Sequence, residues 1–358
     1  MNAASFERRR LAARLGATVD EASDGDELDA RLLRAARERG LAVDDLFGAR
    51  APGPRARAVP VDLPEGHPLA AALRFPRGPA RAAPRPGPAR AWSNADLALP
   101  ADATVRIFAA LPDGRIAVGS DMGASIGGPA GFEAFPWPGG SRRSRVEAMT
   151  VADGVLTLAT TEAVFELPVG GVVKSRRLPP DDDDGRDDVR AMLGVGTRRY
   201  VGWRCRFEGG VGPPEALALA AGAGQIWAGT RDGELHVVDG GGPIRTFGEP
   251  KRRPVRHLAF ARGALWVAAD GALHRFDGAS WSRAGTEPTA LHTDTDDNLW
   301  LVRDGAVWLA SDDAMTAFPA DVTRPWCLLV HAGSLWIGHP GGLTQVPLLR
   351  ADRRATTS

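Results

Sequence analysis

Histidines and clustered acids are the side chains of this chain best suited to chemistry, and their spacing argues against most of it. The seven histidines are His67, His236, His257, His274, His292, His331 and His339. None stands in an HExxH motif or an i, i+4 pair, so no helix-borne zinc site is encoded. His236 and His274 fall at similar places in two apolar runs, where packing or surface roles suffice. Asp294, Asp296 and Asn298 have the 1-3-5 spacing of a calcium loop. Their sixth position is Leu299 and their twelfth is Gly305, where such a loop needs Gly and Glu. The stretch therefore reads as a turn between strands. The acidic run 181–188 would hold a cation only against its own repulsion, and blocks of this kind are usually solvated. No GxSxG, no GxxxxGK[ST] and no GxGxxG opening a helix is present. Cys205 and Cys327 lie far apart without CxxC spacing, which argues against structural zinc. Two reduced core thiols are expected, with one bridge between them as the alternative. No catalytic residue, metal ion or cofactor is expected.

A different pattern recurs. Gln225-Ile226-Trp227-Ala228-Gly229-Thr230 is followed by Ala264-Leu265-Trp266-Val267, Asn298-Leu299-Trp300-Leu301 and Ser334-Leu335-Trp336-Ile337-Gly338. A period in this range marks a repeat architecture. The register extends upstream to Ala117, Thr157 and Val201 at the tryptophan position. The seven anchors are then 117, 157, 201, 227, 266, 300 and 336. Around each, short apolar runs alternate with Asp-Gly and Gly-x turns, the grammar of antiparallel strands. Four strands per unit predict an all-β fold, a seven-bladed β-propeller, with six or eight blades as alternatives. A β-sandwich has no reason to repeat one aromatic position. In a propeller that residue wedges between neighbouring sheets, so Trp227, Trp266, Trp300 and Trp336 are read as structural anchors. The third unit is expected to be abbreviated. The last unit lacks a fourth strand, which residues 91–97, with Trp92, are expected to supply.

Residues 1–49 carry capped, helix-like apolar spacing and predict a small helical N-terminal region. Residues 50–91 hold ten prolines and eight arginines against two acids, an extended linker of net charge +6. The propeller is expected over 92–350 and a disordered tail over 351–358. Formal net charge is zero, so no global field recruits nucleic acid or an anionic membrane. Met1 to Arg14 has no apolar h-region, and no run of ~18 apolar residues occurs. The expected location is the cytoplasm, in a bacterium whose GC-rich codons favour Arg, Ala, Gly and Pro.

Geometry places any site at the mouth of the central channel. The turns between second and third strands supply the candidate partner-binding residues Asp121, Arg231, Asp232, Asp270, Arg303, Asp304 and His339. Their mixed signs suit a polar protein partner better than one small anion.

The phrase Thr293-Asp294-Thr295-Asp296-Asp297-Asn298-Leu299-Trp300, with Leu335-Trp336-Ile337-Gly338 through Gly342-Leu343, resembles the two-component-regulator type of propeller repeat over roughly residues 105–348. In that family such repeats form sensor modules of membrane-bound kinases. With no signal sequence, span or kinase read here, that role is not carried over. The order of helical start, Pro-rich tether and propeller is similar to the β-propeller component of bacterial MoxR–vWA ternary conflict systems. That likeness implies protein partners, among them an AAA+ ATPase or a von Willebrand-type domain protein. The expectation is a non-enzymatic interaction scaffold. The alternative is a lyase or hydrolase, because streptogramin-inactivating lyases use seven-bladed propellers with Leu-Trp repeats. It would need a divalent metal and a catalytic histidine, His331 or His339.

Overall fold

The computed structural model describes residues 83–138, 144–178, 189–204, 206–240, 243–248, 252–310 and 315–349. They form seven antiparallel sheets, six of them meanders of consecutive strands and the seventh a meander joined by strands from before the first blade. Blades 1 to 6 start with the strands Val105–Ala110, Val146–Ala152, Val189–Val195, Ala216–Gly222, Val255–Ala261 and Ala290–Thr293, and blade 7 with Cys327–His331. Each of these first strands packs against the first strand of the next blade, and the seventh returns to the first. The result is a closed seven-bladed propeller whose first strands surround the axis. The helical expectation for 1–49, most of the expected linker, the acidic run 181–188, Cys205 and the tail from 351 lie outside the described residues.

Turn chemistry sets the strands. Asp270 and Gly271 have φ of 52° and 68°, and Asp304 and Gly305 have 52° and 74°. Two consecutive positive φ values make the tight turn whose twist matches flanking strands, and Asp-Gly tolerates both. These turns join second and third strands.

Register explains the repeated phrase. Trp227 pairs with Ala220, Trp266 with Ala259, Trp300 with His292 and Trp336 with Leu329. All four indoles are buried, and each shares a core cluster with residues of the following blade. Trp227 meets Phe276 of blade 5 edge to face, at 6.5 Å, and Trp336 meets Phe132 of blade 1 at 6.2 Å. The glycine two residues after the tryptophan has its own task. A Cβ on Gly119 would lie 2.9 Å from Val146 Cγ1, and one on Gly338 would lie 2.6 Å from Val105 Cγ1. The missing side chain is where the next blade's opening valine seats.

Blade 3 corrects the expected register. Gly202 pairs with Ala191 as Gly229 pairs with Ala218, so Tyr200, opposite Leu193, holds the tryptophan position. Val201 is one residue away and turns to the other face, where it joins blade 2. Tyr200 clusters with Ala216 and Ala228 of blade 4, as a wedge should. Blade 3 is abbreviated to three strands, the last being Phe207–Glu208. Before it, Thr157 of blade 2 replaces the indole, and the seam is polar instead. Arg199 donates from Nη1 to Thr157 Oγ1 at 3.0 Å and pairs with Glu166.

Closure comes from the expected segment. Arg90–Ser93 pairs antiparallel with Gly342–Leu349, Trp92 opposite Leu343, and Arg85–Pro86 adds further pairing with the same strand. The pairing starts inside the stretch expected as linker. Trp92 is buried against Phe132, 5.1 Å between ring centres, and Arg90 covers its outer face at 3.8 Å.

Candidate binding site at the channel mouth

In blades 1 to 5 the pairing of first and second strands skips one residue near its start. The skips fall between Val105 and Ile107, Val146 and Ala148, Val189 and Ala191, Ala216 and Ala218, and Val255 and His257. A β-bulge leaves its extra residue out of the ladder and re-aims its side chain. The bulged residues are Arg106, Glu147, Arg190, Leu217 and Arg256. Counted from the tryptophan position, Thr289 and Trp326 stand at the same place in blades 6 and 7. All seven line one cavity of about 420 Å³ on the axis. Arg145, just before blade 2, adds a fourth guanidinium to its wall.

Two residues past the bulge comes a second ring. Phe108, Met149, Met192, Leu219, Leu258, Leu291 and Leu328 line the same cavity, one from each blade. The site thus has a charged rim above an apolar floor. Its lining carries four arginines and one carboxylate.

The rim is braced. Asp121 Oδ1 accepts from the Thr104 backbone N–H at 2.8 Å, and its Oδ2 lies 3.7 Å from Arg106 Nε. Glu287 Oε2 accepts from the Gly271 N–H at 2.8 Å, and Oε1 lies 3.4 Å from Arg256 Nε. Glu147 lies 3.1 Å from Arg145 Nε. Arg106 stacks over Trp326 at 5.1 Å, and Trp326 is 41% exposed, its backbone N–H donating to the Gly338 carbonyl at 2.7 Å. Below the rim, burial pushes His257 down to about 4, with help from the Arg256 charge. Burial likewise takes His292 down to about 4, against the pull of Asp294 and a hydrogen bond to the Val330 backbone. Both rings are therefore neutral at pH 7. Burial pushes the free thiol of Cys327 far above its usual range, so it stays protonated.

None of the seven turn residues expected at the mouth lines the cavity. First strands start at the same end as the second-to-third-strand turns, so these turns flank the cavity. The turns belong to second strands, one strand spacing (about 4.8 Å) farther from the axis. Asp121 reaches the rim only through Arg106. Arg231, Asp232, Asp270 and Asp304 are exposed outside it. Arg303 folds back over Trp308 at 4.3 Å, and His339 Nε2 lies 3.2 Å from Thr344 Oγ1. The signal that would have found the rim is a phrase of apolar, charged, apolar: Val105-Arg106-Ile107, Val146-Glu147-Ala148, Val189-Arg190-Ala191 and Val255-Arg256-His257.

The histidines of the enzymatic alternative do not meet. His331 and His339 flank the turns at opposite ends of the strand Ser334–His339, pairing with Ser334 and Gly342. Five residue steps of strand separate Ser334 from His339, roughly 17 Å. Asp294 is committed to its own turn. It accepts from the Asp296 and Asn298 backbone at 2.9 and 2.8 Å, from Asn298 Nδ2 at 2.9 Å and from the Trp300 indole at 2.8 Å. Among the described residues no group of three or more His, Cys, Asp or Glu gathers as metal ligands.

No protein-family model matches the sequence, and no curated protein matches it. Solved structures match in fold. The chain is similar to the extracellular domain of the one component system BT4673 from B. thetaiotaomicron, with TM-score 0.55 and 15% identity over 68% of this chain. It spans only 38% of that domain's length. Virginiamycin B lyase from Staphylococcus aureus matches with TM-score 0.58 and 12% identity, over 73% of this chain and 99% of the lyase. YCF48, solved bound to D1 peptide, matches with TM-score 0.55 and 13% identity, over 77% of this chain and all of YCF48. At such identities the likeness establishes the propeller fold. The cytoplasmic location expected from the sequence is corrected by these comparisons. Several similar propellers are extracellular domains of one- and two-component systems, which points away from the cytoplasm.

Proposed function

We propose that this protein is a non-enzymatic binding scaffold that receives a protein partner on the end of the propeller where the first strands begin. One observation carries the reading. One strand position, bulged in blades 1 to 5 and matched by Thr289 and Trp326 in blades 6 and 7, presents seven side chains of five different types into one cavity. A rigid ring with a variable rim suits recognition. Catalysis would need an acid, base or nucleophile held beside a partner group, and the rim offers guanidiniums braced by carboxylates. The exposed turn residues Arg231, Asp232, Asp270 and Asp304 would form the outer part of the contact, with Asp121 holding Arg106. The D1 peptide bound by YCF48 is compatible with this reading. An AAA+ ATPase or von Willebrand-type partner rests on the order of segments in the sequence alone.

The test is a photoactivatable amino acid at Leu217, inside the rim, or at Val172, 84% exposed on the outer edge of blade 2. In cells that make the protein natively, a discrete protein adduct is expected from position 217 and not from 172. Adducts from 172 alone would refute the reading, and mass spectrometry of the 217 adduct would report whether either expected partner is in it.

A further inference from the structure

We propose that the channel mouth binds a short acidic segment of its partner, with carboxylates on Arg106, Arg190 and Arg256 and an adjoining aromatic or aliphatic side chain beside Trp326. This rests on the partner-binding reading and gives the partner a chemistry. Three features of the mouth converge on it.

The first is charge and its bracing. In each of the pairs Arg106–Asp121, Arg145–Glu147 and Arg256–Glu287 the closest contact is through Nε. Asp121 and Glu287 are in turn fixed to backbone N–H groups of neighbouring turns. Each carboxylate faces the Nε edge of its arginine at 3.1–3.7 Å, an ion-pair contact that favours one orientation of the guanidinium, whose η nitrogens suit a carboxylate bidentately. Orienting the donors beforehand reduces the entropy lost when a ligand arrives.

The second is the rim tryptophan. Arg106 lies over Trp326, and Trp326 keeps 41% of its surface exposed. Trp and Arg are the residue types that dominate binding energy at protein interfaces, and here they stand paired on the rim of the recess. The third is the apolar floor, one large side chain per blade, which a bare anion would leave uncovered. The cavity of about 420 Å³ takes the apolar side chain, while the carboxylates stay at the charged rim above it. A polynucleotide would need an extended basic track, and the chain's net charge is zero. Glu147 stands within the rim and opposes a doubly charged phosphate more than a single carboxylate.

The experiment uses the full chain and fluorescein-labelled octapeptides of Asp, Glu and Phe, read by anisotropy. Control peptides replace Asp and Glu with Asn and Gln, or with Lys. The acidic peptide is expected to bind, more weakly as salt rises, and the controls are not. R190A/R256A should weaken it at least ~10-fold, while R283A, exposed on the outer strand Trp281–Thr286 of blade 5 and away from the cavity, should change it less than about twofold. Both variants are checked for wild-type melting. Equal binding of the Asn/Gln peptide, no binding of the acidic one up to about 1 mM, or an unchanged R190A/R256A variant would each overturn the proposal. Displacement by inorganic phosphate or succinate as effective as by unlabelled peptide would overturn it in favour of a small anion. The R190E/R256E variant should also lose the protein adduct at position 217. An adduct that persists there would leave the partner-binding reading standing and this inference refuted.

Discussion

Trp92→Ala tests ring closure directly. Trp92 sits on Arg90–Ser93, which completes the last sheet by pairing with Gly342–Leu349. Its indole is buried in the cluster with Leu97, Val105, Trp336 and Leu343, so it ties together the last blade and the first. A buried Trp removes 150–250 Å² from water, about 4–6 kcal/mol at ~25 cal/mol per Å². Measured truncations of this kind cost about 3–5 kcal/mol, because the site relaxes around the cavity. One feature lowers the expected loss. The Trp92 indole N–H is buried without a hydrogen-bond partner among the described residues, and removing it returns about 1 kcal/mol. The net expectation is a loss of about 3 kcal/mol, or about 6–12 °C in Tm for a domain of this size. Trp92→Phe keeps the contact with Phe132, drops the unpaired N–H, and should cost less than about 1 kcal/mol. Urea and thermal unfolding read both variants. Removing residues 1–93 should go further, since it leaves Gly342–Leu349 as an open edge that promotes self-association, visible by analytical ultracentrifugation. A W92A melt within about 2 °C of wild type, together with a monomeric truncation, would refute the closure.

Three other perturbations probe separate links. Gly194→Ala places a Cβ onto the Val151 carbonyl of blade 2. Backbone cannot step aside as a side chain can, so a loss of about 1–3 kcal/mol is expected by urea unfolding. Asp294→Ala removes an acceptor of four hydrogen bonds, including the buried Trp300 indole. It should cost about 2–4 kcal/mol, and added calcium should leave the midpoint of either protein unchanged. The pH profile follows from His257 and His292, both taken from 6.5 down to about 4. Between those values the unfolded chain binds protons that the folded one refuses, so stability rises with pH. It is complete above about 6.5 and falls as pH drops towards 4, by up to ~1.4 kcal/mol per unit for each ring. Partial exposure of both rings reduces this. Urea midpoints at pH 7 and 5 should differ in the wild type and converge in H257N/H292N.

The fold was legible because a closed ring makes every seam the same physical problem. Each blade must fill the wedge towards the next, and the indoles of Trp227, Trp266, Trp300 and Trp336 solve it identically. The register failed once, at Tyr200, because the matching there followed the aliphatic run and not the glycine. Gly202 was the better anchor, since the opening residue of the next blade seats where its side chain would be. Thr157 was placed correctly, yet nothing near it in sequence announced the polar seam that Arg199 makes from 42 residues away.

The site was less legible for a related reason. Asp-Gly turns are conspicuous, so they drew the expected mouth outward to residues such as Asp232 and Asp304. The cavity is instead lined from the bulge, one strand spacing inward. A bulged residue leaves the ladder and points to the axis, so neither pairing nor seam packing dictates its type. Arg, Glu and Leu stand at the bulge in blades 1 to 5, and Thr289 and Trp326 at the matching place without one. Positions that hold the propeller together must repeat and are read from the repeat. The positions proposed to meet a partner are those the repeat leaves undetermined, and they show as departures from it: a charge after the opening valine in blades 1, 2, 3 and 5, and a tryptophan before Cys327 in blade 7.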